Sequence, residues 1–216
     1  MQTLTEQLID IGLADEVITS EQLQRLYPER DKARYGLVNR ALKHGELELV
    51  KRGTYILTKK FRFSPPHPFA LAQSYCVGSY VSFETALAFH DWIPERVFVT
   101  ACVTPRRKKL EFNSDQFGQF TFHSLATQKG RHLELVERIV ISKQAMLVAK
   151  PIRALLDLVC IRKEPWQGLG WLTEGMRIDE DELQQVTTAE LEILKKTYKH
   201  KRVLDFIDSL QQALQL

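Results

Sequence analysis

The sequence predicts an α+β protein built in two parts. Three observations carry this. Apolar residues recur at helical spacing through the first 44 residues, and a short polar–apolar alternation around a glycine follows. Ser64-Pro65-Pro66-His67-Pro68 then interrupts any regular element and favours an extended, stiff linker. Beyond it, β-forming runs are mixed with short helical stripes, and the chain ends in helix. The boundary is placed at the proline break, giving parts of residues 1–63 and 69–216. At 216 residues, 44% apolar and 26% charged, the chain can bury a core without disulfide or metal staples. That composition excludes disorder over most of its length.

The first part reads as three helices and a hairpin. Leu4, Leu8 and Ile11 follow helical spacing, with Thr3 and Glu6 as a capping box. A second helix starts near Thr19, where Thr19 and Gln22 repeat the box and Ile18 and Leu23 form a hydrophobic staple; Pro28 ends it. A third helix spans about residues 30–44 and stops at Gly45. Residues 46–50 and 54–58 alternate around Lys51-Arg52-Gly53, the signature of a short hairpin with glycine in its turn. Helix, short helix, longer helix and hairpin is the order of a winged helix-turn-helix. A mixed α/β domain with a helical C-terminal end follows.

In the second part, residues 69–76 read as helix, Tyr80 and Val81 as a short strand, and Ser82 as the cap of a helix through His90. Residues 97–103, 117–123 and 137–141 read as strands. A buried helix covers residues 150–160, with Pro151 at its first position. From Asp179 onward the pattern is helical, with Thr188 as a cap and stripes of Leu191, Leu194, Tyr198 and of Leu204, Ile207, Leu210, Leu214. Phe83, Phe89, Trp92, Phe98, Phe117, Phe120 and Phe122 are assigned to the core. Trp166 and Trp171 cap the helical end, the alternative being an anchor for a partner.

The three cysteines, Cys76, Cys102 and Cys160, are dispersed among apolar neighbours and read as buried free thiols in a reducing cytoplasm. MQTLTEQLID has neither the basic start nor the apolar core of a signal peptide, and no run approaches a membrane span.

Charge distribution is the informative signal. Residues 25–62 hold eleven Lys and Arg against four acids, a surplus of +7, while the whole chain carries only +3. With Val38 at the centre of the buried stripe and about 100° per residue, Ala41 and Leu42 fall on its side and Tyr35 at its edge. Lys32, Gly36, Asn39, Arg40 and Lys43 fall opposite. Arg and Lys match guanine edges or phosphates, Asn can pair with adenine, and Gly36 lets another surface approach closely. Lys51 and Arg52 at the hairpin tip are placed to touch phosphate. The expected DNA-binding residues are therefore Lys32, Asn39, Arg40, Lys43, Lys51 and Arg52. Two further cationic runs, Arg106-Arg107-Lys108-Lys109 and Lys195 to Arg202, read as solvated surface, the sharper alternative being contact with nucleic acid or an acidic partner.

No catalytic residues, metal ligands or cofactor are assigned. There is no Gly-rich phosphate loop, nucleophile elbow or clustered ligand set. Ser82, His90 and Asp91 are close in sequence, which does not make a triad. His90, Cys102 and His123 lack metal-ligand spacing.

Several segments together resemble one family. Lys51-Arg52-Gly53-Thr54-Tyr55-Ile56-Leu57 is followed by residues 80–90 (YVSFETALAFH), then Val97-Phe98-Val99-Thr100, Phe120-Thr121-Phe122-His123 and residues 151–158 (PIRALLDL). Their order and spacing over roughly residues 5–160 resemble the AbiEi family of antitoxins and transcriptional regulators from bacterial abortive-infection systems. The resemblance implies a winged helix that binds inverted repeats in double-stranded DNA of the operon's own promoter, with two copies on DNA. It also implies a C-terminal antitoxin domain that counteracts a nucleotidyltransferase toxin encoded in the same operon. It offers no catalytic residues.

The expected function is thus that of a cytoplasmic DNA-binding autorepressor and antitoxin, not an enzyme and not bound to membrane. The alternative is a protein-interaction module without sequence-specific DNA binding. A third reading, an enzyme acting on nucleic acid, finds no acid and acid-x-Lys pair on a strand to support it.

Overall fold

A computed structural model describes residues 2–28 and 31–216. Glu29 and Arg30, where the third helix was expected to begin, lie outside the described residues, as does Met1. The fold is mixed α+β. The chain forms two compact units: one is everything up to Val77 together with Val140–Met146, the other Gly78–Ile139 with Leu147–Leu216. The proline break therefore falls inside the first unit.

In the first unit, α1 (Leu4–Asp10) and α2 (Ser20–Leu26) each carry the expected capping box, Thr3 with Glu6 and Thr19 with Gln22. Between them, Ile18–Thr19 forms a two-residue strand, β1, which the sequence pattern did not predict. The third helix, α3, covers Asp31–Lys43, and Gly45 takes a positive φ just beyond it. The hairpin pairs β2 (Leu47–Lys51) with β3 (Thr54–Leu57), and a bulge shifts the register between Leu49 and Lys51. β1 adds to the far side of β3, Ile18 opposite Tyr55, so the sheet order is β1-β3-β2.

The apolar faces of these elements close on one core, centred on Leu8, Ile18, Leu23, Val38, Leu47 and Leu57. The hairpin turn is held from outside as well. Ser20 donates its N–H to the Gly53 carbonyl at 2.8 Å, and a Cβ on Gly53 would sit 3.0 Å from Ser20 Oγ. Glycine is needed there for space and for its φ of +77°.

Helix α4 (Pro68–Tyr75) follows in the same unit, with Pro68 in its first turn and the His67 ring accepting the Phe69 N–H. The segment before it is tied at several points. Asp15 Oδ1 accepts the N–H groups of Phe63 and Ser64 at 2.7 and 2.8 Å. The buried Gln144 amide accepts the His67 N–H at 2.7 Å and donates to the Pro65 carbonyl at 3.0 Å.

The larger sheet has six strands in the order β6-β7-β5-β4-β9-β8. Its strands are β4 (Tyr80–Val81), β5 (Val99–Val103), β6 (Leu110–Ser114), β7 (Gly118–His123), β8 (Val136–Ile141) and β9 (Gln144–Ala149). β4 pairs parallel with β9, and β5 parallel with β7. Strands β6 and β9 were not anticipated, and β5 starts two residues later than expected.

Helix α5 (Phe83–Phe89) locks onto β5 through Thr85, whose hydroxyl donates to the Val99 carbonyl at 2.7 Å and accepts the Ala101 N–H at 3.0 Å. Helix α6 (Pro151–Arg162) is buried along most of its length. The terminal region is helical from Glu180 with breaks: α7 (Glu180–Gln184), α8 (Thr188–Lys195) and α9 (Lys201–Ala213). The α8 cap is Thr187 in a box with Glu190, not Thr188, which is the first helical residue. Trp166 and Trp171 both meet the buried Phe206 edge-on, capping the helical end. Phe98 is a correction to the predicted core: it is 77% exposed, with the Arg96 guanidinium over its ring. Phe89 and Phe117 are only half-buried. Among the described residues no helix is long and apolar enough to cross a membrane.

Candidate functional site

Helix α3 divides its side chains sharply. Val38 and Ala41 are buried against the core, and Leu37 and Leu42 flank them. On the opposite side Lys32, Arg40 and Lys43 are exposed and Asn39 and Gly36 are half-buried. The predicted face therefore exists as a continuous polar surface with three cations and an amide.

Two details change its character. Tyr35 does not join the buried stripe: it is 71% exposed and lies on the solvent side, in one helical row with Lys32 and Asn39. Gly36 has open space where a side chain would project, with nothing within 4 Å. A glycine inside a helix costs about 1 kcal/mol against alanine. Among the described residues nothing fills the room it leaves.

The remaining cations of this unit are not equivalent. Arg34 is spent on the helix itself, pairing with Asp31 at 2.5 Å and donating to the Tyr27 carbonyl at 3.3 Å. Lys51, expected to touch phosphate, is half-buried. Its ammonium donates to the Tyr75 carbonyl at 2.8 Å and lies over the Tyr75 ring. A cation there also complements the partial negative charge at the α4 C-terminus. Arg52, one residue on, is exposed, as are Lys59 and Lys60 after the hairpin. Arg40 also borders a shallow cavity of about 150 Å³ with Leu4, Leu37, His44 and Glu46.

In the second unit, Arg106, Arg107 and Lys108 are exposed in the β5–β6 loop, while Lys109 pairs with Glu111 at 2.6 Å. Lys195 is tied to Glu192, Asp208 and Gln211, leaving Lys196, Lys199, Lys201 and Arg202 exposed. A cavity of about 340 Å³ opens at the start of α6, lined by His90, Trp92, Lys150 and three glutamates. Its charges are mutually engaged: Lys150 reaches Glu137 and Glu190, and the Trp92 indole donates to Glu182.

No protein-family model matches the chain, and no curated protein matches it.

The densest polar cluster is buried and was missed. Arg153 and Asp157, one turn apart on α6, are both fully buried and joined Nε to Oδ1 at 3.0 Å. Arg153 also donates to the Tyr80 hydroxyl at 2.6 Å and to the Glu134 carbonyl at 3.2 Å. Asp157 accepts from Tyr80 and Ser82 at one oxygen and from Tyr198 at the other, at 2.6–2.9 Å. A carboxylate offers about four acceptor positions, and all four are filled. Burial raises the pKa of Tyr80 and Tyr198 well above the usual phenol value. Burial disfavours the Arg153 charge, but Asp157 and the two tyrosines outweigh it and raise its pKa.

This network also corrects the reading of Ser82. Its hydroxyl caps nothing at α5; it is directed to Asp157. His90 turns its ring to the Ala149 carbonyl at 3.0 Å, so Ser82, His90 and Asp91 do not form a hydrogen-bonded set. Among the described residues no group of three or more His, Cys, Asp or Glu is placed to hold a metal ion. Cys76 and Cys102 are buried free thiols, whereas Cys160 is half-buried, with its pKa pushed up to about 11 by burial. The signal for the network was present: an Arg and an Asp four apart in a helix otherwise uncharged up to its last residue, Arg162.

Proposed function

We propose that the chain is a DNA-binding transcriptional regulator whose N-terminal unit acts as a winged helix-turn-helix. The observation that carries this reading is the solvent face of α3. Lys32, Asn39, Arg40 and Lys43 are aligned there with no acid among them, beside a glycine that leaves room for a close approach. The order α1-β1-α2-α3-β2-β3, with β1 paired onto the hairpin, supports it. In this reading α3 enters the major groove, Asn39 and Arg40 read base edges, and Arg52 contacts backbone phosphate. Lys51 contributes by holding the hairpin to α4. The family resemblance extends the proposal to autorepression at inverted repeats, two copies on DNA and an antitoxin role against a nucleotidyltransferase toxin.

The test is fluorescence anisotropy of the protein on the DNA upstream of its own gene, with scrambled DNA as control, across several salt concentrations. A preference of about 10³-fold or more with a steep salt dependence is expected. Arg52→Ala should lower the salt slope by about one, whereas Lys51→Ala should leave it nearly unchanged. Equal, weak binding to both DNAs would overturn the reading and favour a protein-docking module.

A further inference from the structure

We infer that Tyr35 is a specificity-determining residue that reads the methyl group of a thymine in the major groove. The inference rests on the DNA-binding reading of α3. Tyr35 is 71% exposed on the same face as Lys32, Asn39 and Lys43, one helical turn before Asn39. No ring contact or hydrogen bond within the protein holds it among those described for this unit. Gly36, the next residue in the chain, leaves open space where a side chain would project.

The residue types point to one chemistry. Asn39 suits the acceptor–donor pair of an adenine edge, and the thymine methyl is the apolar feature of the major groove. An aromatic ring one turn away from an adenine-reading amide meets that methyl on a neighbouring base pair. Lys32 and Lys43 suit phosphate, and Arg40 and Asn39 suit the polar groups of base edges, so none of them reads an apolar feature. Tyr35 thus supplies apolar selectivity where the face is otherwise polar.

The experiment selects bound duplexes from two random pools, one containing thymine and one containing deoxyuridine in its place, using the full chain. The wild type should recover a motif with a thymine whose replacement by deoxyuridine weakens binding about fourfold. That is roughly 0.8 kcal/mol for one methyl-sized group at 1.4 kcal/mol per decade. Tyr35→Ala should bind with the same salt slope but lose the thymine–deoxyuridine difference. Tyr35→Phe should keep it. Because Tyr35 packs on nothing in the core, both variants should melt as the wild type does. A specific wild-type motif indifferent to deoxyuridine at every position, or discrimination that survives Tyr35→Ala, overturns this inference and leaves the DNA-binding reading standing. A wild type that recovers no motif overturns both.

Discussion

Helices α3 and α6 are nearly equal in length, at 13 and 12 residues, and use charge in opposite ways. On α3, Lys32, Arg40 and Lys43 lie across the helix from the apolar stripe, exposed to water and without an ion pair among the described residues. On α6 the one internal ion pair, Arg153 with Asp157, lies inside the apolar body with every donor and acceptor engaged. An exposed cation costs little to keep and remains available to a polyanion. A buried pair has given up hydration on both sides and is retained only with its full set of partners. The difference teaches that the azimuth of a charge on its helix, more than its count, separates a charge left in water from one built into the core.

The comparison breaks hardest at Asp157. Asp157→Ala leaves the Arg153 charge buried and the hydroxyls of Tyr80, Ser82 and Tyr198 short of an acceptor. The expected loss is about 3–5 kcal/mol. All three tryptophans, Trp92, Trp166 and Trp171, lie in the second unit, so denaturant unfolding followed by tryptophan fluorescence reads that unit alone. A shift of under about 1 kcal/mol would mean that the network contributes little.

A smaller effect separates the units by pH. Burial lowers the pKa of His123 and His132 in the second unit and of His67 in the first. A histidine with a lowered folded pKa takes up its proton more readily when unfolded. The stability it contributes is present above the ordinary pKa of about 6.5 and is lost as pH falls below it. The melting temperature should therefore fall between pH 7 and 5, and His132→Gln should flatten part of that slope in the tryptophan signal. An unchanged slope would remove His132 from the account.

The smallest stability effect is expected on α3. Arg40→Ala touches no core contact and should change stability by no more than about 0.5 kcal/mol. Measured by circular dichroism, a larger loss would mean that Arg40 supports the fold through the shallow cavity beside it.

Much of the first unit was legible because its signals are local. A capping box acts over three residues, and Thr3 and Thr19 close theirs as read. Strand β1 was not legible, since two residues become a strand only through Thr54 and Tyr55, more than thirty positions away. Tyr35 sits at the margin of the apolar stripe, and periodicity alone cannot say on which side of that margin the core ends. Lys51, expected at the hairpin tip to touch phosphate, has a partner the sequence does not reveal, because the Tyr75 carbonyl is backbone and 24 residues distant. Ser82 shows the same limit: its neighbourhood spells a helix cap, but a carboxylate 75 residues away takes the hydroxyl.

The Gln144 amide grips the Pro65–His67 backbone by both its oxygen and its nitrogen, and Val140–Met146 belong to the first compact unit. That unit is therefore not a continuous stretch of gene. A recombination event that exchanged only the opening 77 codons would leave Gln144 behind, and the incoming segment would meet a foreign residue at that grip. Inheritance of the two halves together, with residue 144 co-varying with the 65–67 segment, is the evolutionary signature this connection should leave.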